Sequence, residues 1–272
     1  MVTERLRVGA SACATLLAAA VLAGCSGGSS PVVGASGTGP ASTSSGSSGS
    51  STSSGSPSIA ASPSAASASS VSTSIPASAW IQSSAIPLYA KYRWTSPVST
   101  AKSAKAPVLS AVQVCQPTLG SADQAELGAF PAAQADLSPT SGASGGRDDW
   151  AAQETILATN DTSSGDIQGI YDLYTALVAD LAKCGNTAPG AKVSVAVSQG
   201  PEYAATITIP ASTGSTLTWH EYLAAPYGYL VELSVYVAPY AGDKPSAPWD
   251  GSSASRVLSA LQSGPCSVTN LC

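Results

Sequence analysis

The sequence predicts an α+β domain, an antiparallel sheet packed by one long helix and a C-terminal helix, preceded by a disordered tether. Three observations predict it. Between Gly165 and Lys183 apolar residues recur every three and four positions, the period of a helix with one buried stripe. After that segment the period switches to two in four successive runs separated by turn residues. All sixteen aromatic residues lie at or after Trp80, and no charged residue occurs between Arg7 and Lys91, so a composition able to build a core begins near residue 79.

In chain order, Met1–Arg7 carries two arginines and one acid, and Val8–Leu22 is a run of small and apolar residues closed by Leu22-Ala23-Gly24-Cys25. A basic end, a short apolar core and small residues before a cut are the parts of an export signal. The apolar run, about 15 residues, is short of the roughly 20 needed to span a bilayer. Leu-Ala-Gly-Cys resembles the lipobox of bacterial lipoproteins. The resemblance implies that residues 1–24 are a signal peptide and that the Cys25 thiol takes a diacylglycerol with acyl chains such as palmitate. The chain would then be held at the outer face of the cell membrane, its partner there being the membrane itself, through the lipid anchor. Two or more acyl chains make such anchoring stable where one does not.

Residues 25–78 form the lipidated Cys and a linker of Ser, Gly, Ala, Thr and Pro, too poor in apolar surface to offset its ordering entropy. Such a chain reaches on the order of 40 Å on average and at most roughly 170 Å when stretched. The domain occupies residues 79–272. Gln124–Ala135 is of uncertain type, Ser138–Arg147 is a loop, and Trp150–Thr159 is a strand. In the long helix, Ile167, Ile170, Tyr171, Tyr174, Leu177, Val178 and Leu181 make the stripe. Ser163 and Ser164 are N-caps and Gly185 closes the end. The four alternating runs follow: Val193/Val195/Val197, Ala205/Ile207/Ile209, Leu217/Trp219/Leu223 with Glu221 interrupting, and Val231/Leu233/Val235/Val237. They read as strands of a sheet with one polar face and one face under the helix. A last helix spans Ser253–Leu261.

Composition excludes several functions. Beyond residue 25 there are nine basic and fifteen acidic residues, which argues against a nucleic-acid partner. One His in the chain argues against His-based metal sites, and nothing calls for a cofactor. Cys13 leaves with the signal, so Cys115, Cys184, Cys266 and Cys272 remain, an even number suited to disulfides in an exported domain. Their spacing lacks the close pairs of a zinc site. Three pairings are open; Cys115–Cys184 with Cys266–Cys272 is preferred, the second closing a short loop at a terminus that would otherwise fray.

Catalytic signals are thin. His220 falls between Thr218 and Tyr222 on the polar side of its strand and reads as a solvated histidine. Gly142-Ala143-Ser144-Gly145-Gly146 fits G-x-S-x-G, but Gly24–Gly28 fits it too, and neither sits on a strand-to-helix elbow. Arg147, Asp148 and Asp149 read as a solvated loop end. Trp219 reads as core, with Trp80, Trp94 and Trp249 packing over the sheet edge. Tyr222, Tyr227, Tyr229 and Tyr236 are a candidate binding face on the sheet's polar side.

Trp150, then "QETILATND", a helix ending "LVADLAKC", and strands "ATITIP", "TWHEYL" and "GYLVELSV" are together similar to the actinobacterial extracellular sensor-like domain of the PknH type. The resemblance spans roughly residues 79–261 and includes Cys115 and Cys184. It implies an α+β fold with disulfides, a ligand-binding role and no catalytic residues. No cysteine follows closely after Cys184, so Cys266–Cys272 would substitute for a second family disulfide. The expectation is a membrane-anchored surface lipoprotein whose domain is a non-catalytic ligand-binding or sensor-like module, its partner an unknown small molecule or envelope protein. The alternatives are a tethered cell-wall hydrolase and a structural or lipid-carrying envelope protein.

Overall fold

The computed structural model describes residues 74–269, apart from 118, 142–145, 147, 160–162 and 212–213. The lipobox with Cys25, the tether up to residue 73, Cys272 and most of the Gly142–Gly146 loop lie outside the described residues.

From Ile75 the chain runs as an arm of two 3-10 turns (Ala77–Ala79 and Ser83–Ala85) and two single-turn helices, α1 (Tyr89–Tyr92) and α2 (Pro97–Thr100). Prolines 76, 87 and 97 prevent longer regular structure. A short edge strand β1 (Lys102–Ala104) and α3 (Ser110–Cys115) follow. The segment of uncertain type, 124–135, resolves into two elements broken at Phe130-Pro131: α4 (Ser121–Ala129) and β2 (Ala132–Leu137). Next come β3 (Ala151–Ala158), the long helix α5 (Ser164–Ala182) and the turn helix α6 (Cys184–Thr187). Strands β4 (Lys192–Gln199), β5 (Glu202–Pro210), β6 (Thr216–Ala224) and β7 (Tyr229–Val237) precede α7 (Ala254–Thr269). Among the described residues the strands form one antiparallel sheet in the order β1-β2-β3-β7-β6-β5-β4.

Helix α5 starts as its sequence dictates: the Asp166 N–H donates to the Ser163 side chain at 3.2 Å, and Asp166 sits in the first turn. Its buried stripe is Ile170, Leu173, Tyr174, Leu177 and Leu181. Leu173 joins the expected set, whereas Tyr171 turns outward and is 43% exposed. Gly185 does not end the helix; it lies inside α6, which carries the chain on for another turn.

Both faces of the central strands are covered, so the expected continuous polar face is missing; the edge strand β4 stays largely exposed, Val195 included. Helices α5 and α3 pack on Leu157, Tyr203, Ile207, Leu223 and Leu230. The arm and α7 pack on Ile156, Val231, Leu233, Val235 and Val237. The apolar alternation of β7 therefore faces the arm, and its polar alternates Glu232 and Ser234 are buried beneath the α5 side. A strand buried on both sides has no solvent face to carry the simple in-out code. Trp80 and Trp94 lie over this second face rather than the edge, each nearly fully buried. The Trp94 Nε1–H donates to the Pro87 carbonyl at 2.7 Å.

The C-terminal helix runs past Leu261 to Thr269 and through Pro265. Gly264 and Pro265 are buried against the arm, where a side-chain carbon on Gly264 would collide with the Ala79 carbonyl. The arm is also fastened in the sheet centre. Glu154, on β3, is fully buried, and its Oε1 accepts from the Ile81 N–H at 3.0 Å while Oε2 has no hydrogen-bond partner. Burial pushes this carboxyl up to about 8, partly opposed by the Ile81 hydrogen bond.

Candidate functional site

Cys115 and Cys184, both fully buried, form a disulfide spanning 69 residues of chain. It ties the end of α3 to the start of α6. In the chain-entropy model a loop of that length contributes about 4 kcal/mol. Cys266 is also disulfide-bonded; Cys272 lies outside the described residues.

The bridged segments are two walls of a hollow on the α5 side. Gln113, Val114 and Gln116 line it from α3, and Ala188 and Pro189 from the chain after α6. Ile209, Pro210 and Leu217 complete the rim, and Trp219 and Tyr236 also line it. The space is about 570 Å³, within the usual range for a small-molecule site. Trp219 and Tyr236 face each other across β6 and β7, their rings stacked at 4.3 Å with planes 15° apart. Two backbone features shape the rim. Gln116 adopts a left-handed conformation (φ 49°) directly after the disulfide. Gly190 has φ +80°, and a side-chain carbon there would press on Pro210 at 2.8 Å, so this approach of wall to strand requires glycine. None of the described residues that line the hollow is charged.

Beside Trp219, on the same sheet face, lies a buried carboxyl pair. Glu232 Oε2 and Oε1 accept from the Ser110 and Ala111 N–H groups at the start of α3, at 2.8 and 2.9 Å. Glu221 is hydrogen-bonded to Glu232, and the Ser234 hydroxyl donates to Glu221 Oε2. Burial, then the Glu232 charge, holds Glu221 well above the usual carboxylate range. Burial also raises Glu232, opposed by the hydrogen bonds it accepts from the Ala111 and Ser110 N–H groups. The Trp219 indole acts on Glu221 in the opposite sense, although Trp219 Nε1 and Glu221 Oε1 fall short of full hydrogen-bond geometry. The pair anchors α3, and with it the disulfide-bearing wall, to the sheet.

The four tyrosines of the candidate face do not meet. Tyr222 and Tyr229 are buried on the arm side, Tyr236 is half-buried on the opposite side of the sheet, and Tyr227 sits in the β6–β7 turn, 40% exposed. Only Tyr236 joins the hollow. Sequence reasoning missed Gln113, Val114 and Pro189 because nothing local marks them; the fold brings them there through the disulfide. Glu221 was visible as a break in the apolar side of β6, and a second acid on the adjacent strand, Glu232, was the overlooked signal.

His220 is not a solvated strand histidine. It lies on the arm side, stacked on Trp249 at 3.5 Å with planes 9° apart, and Trp150 flanks both rings. Its Nδ1 is 3.0 Å from the Thr206 hydroxyl. Burial lowers it to about 4, against a smaller upward pull from Asp250. The nearby Ser252 hydroxyl donates to Asp250 Oδ1 at 2.7 Å rather than to His220, and Asp250 Oδ2 accepts from the Leu88 N–H. Serine, acid and imidazole are thus not connected as a nucleophile relay. Asp149 is likewise no solvated loop end: it is 8% exposed and hydrogen-bonded to the hydroxyls of Tyr92 and Ser246. Among the described residues no three His, Cys, Asp or Glu side chains gather as a metal ion would need, and no helix is long and apolar enough to cross a membrane.

No family model matches the chain, and no curated protein matches it.

Proposed function

We propose that this chain is a membrane-anchored surface lipoprotein whose extracytoplasmic domain binds a small ligand without catalysis, in the manner of a sensor-like module. The Leu22–Cys25 box and the Ser/Gly/Ala/Pro tether support the anchor. The hollow over the stacked Trp219/Tyr236 pair carries the binding reading. Its uncharged, mainly apolar lining suits a neutral ligand with an apolar body, with Gln113 and Gln116 offering carboxamides to a polar edge. The same lining favours, as a second reading, an acyl-chain-bearing ligand and hence a lipid-carrying role.

Two measurements test this. Cys25→Ala in the full chain should abolish acylation and leave the protein as precursor or outside the membrane fraction; retained acylation and membrane association would end the anchor reading. The full chain, purified from membranes and analysed by native mass spectrometry, should carry a small apolar molecule that Tyr236→Ala loses while remaining folded. Identical spectra, free of adducts, from both proteins would end the binding reading at this hollow.

A further inference from the structure

On the other side of the sheet, a separate cavity of about 240 Å³ lies between strands β4–β6 and the chain entering α7. It exists because small residues meet there: Ala204 on β5, Ala254 at the start of α7, and Ala196 at the β-bulge where β4 shifts register against β5. Beside Ala205 and Gly251, the remaining wall is polar and aromatic: Thr206, His220, Tyr222, Trp249 and Ser252.

Two of these groups are unmatched. Tyr222 is 4% exposed, and its hydroxyl makes no hydrogen bond to any described residue. The imidazole of His220 uses Nδ1 toward Thr206, and its Nε2 has no partner within the described residues. Neither atom is sealed away from the cavity, so each offers a hydrogen bond to a molecule that occupies it. The volume corresponds to roughly eight waters at about 30 Å³ each, the scale of one six-membered ring with its substituents. Charge narrows the class. Burial keeps His220 neutral at pH 7, and the Asp250 carboxylate acts electrostatically on both His220 and Tyr222. An anion would meet a negative neighbour, and none of the described lining residues is cationic.

We propose that this cavity is a binding site for a neutral, polyhydroxylated ring of monosaccharide size, with the Tyr222 hydroxyl and His220 Nε2 as its hydrogen-bonding partners and Trp249 as its apolar wall. Such a ring offers hydroxyls that can donate and accept, which suits a phenol and a neutral imidazole, and C–H faces that suit an indole. This site is distinct from the hollow over Trp219 and Tyr236, which lies across the sheet, and stands or falls independently of it.

The test uses the full chain in a detergent without a sugar headgroup. Saturation-transfer NMR is recorded with methyl α-D-glucopyranoside, myo-inositol and, as the anionic comparison, glucose 6-phosphate. Saturable binding is expected for at least one neutral probe, with none for the phosphate. Tyr222→Phe should weaken that binding about tenfold, the loss of one hydrogen bond, and leave the melting temperature unchanged because the hydroxyl has no partner within the chain. Ala254→Leu, which fills the space without touching a polar group, should abolish it. Absence of saturable binding by both neutral probes overturns the proposal, as does equal binding by the wild type and Tyr222→Phe. If Tyr222→Phe unfolds, the hydroxyl is structurally required and the assignment of Tyr222 is wrong; undiminished binding in Ala254→Leu would place the ligand elsewhere.

Discussion

Replacing Glu154 by Gln isolates one buried carboxyl in the middle of the sheet. The side chain is fully buried between the arm and β3, with a single hydrogen bond, from the Ile81 N–H. Glutamine keeps that acceptor and removes the titration. In the folded state the carboxyl is raised from 4.5 to about 8. The unfolded chain releases its proton near 4.5, whereas the folded chain holds it, so stability is greatest below pH 4.5, falls as pH rises, and levels off above about 8. At 1.36 kcal/mol for each pH unit, the full span amounts to at most roughly 5 kcal/mol. The variant has no such slope. Urea midpoints of the full chain at pH 5, 6, 7 and 8, converted with a common m-value, should show Glu154→Gln gaining on the wild type by about 1.4 kcal/mol per pH unit. Other buried acids titrate in both proteins and cancel in the difference. Parallel pH profiles would refute the reasoning, because they would mean that Glu154 is ionised in the fold or solvated there.

Three further outcomes follow from the same geometry. Leu177→Ala, at a position 1% exposed beneath α5, should lose about 2–5 kcal/mol of stability in urea; a change under ~0.5 kcal/mol would mean that α5 is not seated as described. Replacing Cys115 and Cys184 together by Ser should cost about 4 kcal/mol, and non-reducing peptide mapping of the wild type should recover the 115–184 link; a peptide joining Cys184 to Cys266 or Cys272 would contradict it. The only histidine, His220, gives a single imidazole signal whose NMR midpoint should lie near 4 rather than 6.5. Because its folded value is depressed, it should reduce stability progressively as pH falls from 6.5 to about 4, and a midpoint at 6.5 would place it in solvent.

Much of the architecture was legible because local and global signals agreed. The α5 stripe, its Ser163 cap, the four strands after it and β3 at residues 151–158 all follow from period and turn chemistry. Several of the misses share a cause, the second covering layer. The arm carries its apolar residues between prolines, with no period to read, so Trp80 and Trp94 were expected only over the sheet edge. Once it covers the sheet with α7, Tyr222, Tyr229 and His220 all move from an expected surface to an interior. The end of α7 was missed because Gly264-Pro265 normally stops a helix, whereas here close contact with Ala79 outweighs the local preference. The hollow was invisible for a different reason. Its walls are separated by about seventy residues of sequence and bridged by the Cys115–Cys184 link, and no single-chain pattern encodes such a junction.

The seating of the arm has a mechanical consequence. Any pull transmitted along the chain from its N-terminal side enters the described fold at Ile75 and meets, in order, the Ala79–Gly264 contact and the Ile81–Glu154 hydrogen bond. Both fasten the arm to α7 and to the central strand β3. The line of tension therefore runs through one layer of the molecule, while the disulfide-clamped layer across the sheet, with α3, α5 and the stacked Trp219/Tyr236 pair, is out of the direct path. A load that frays the first few residues of the arm would leave that opposite layer in register until Ile81 lets go of Glu154.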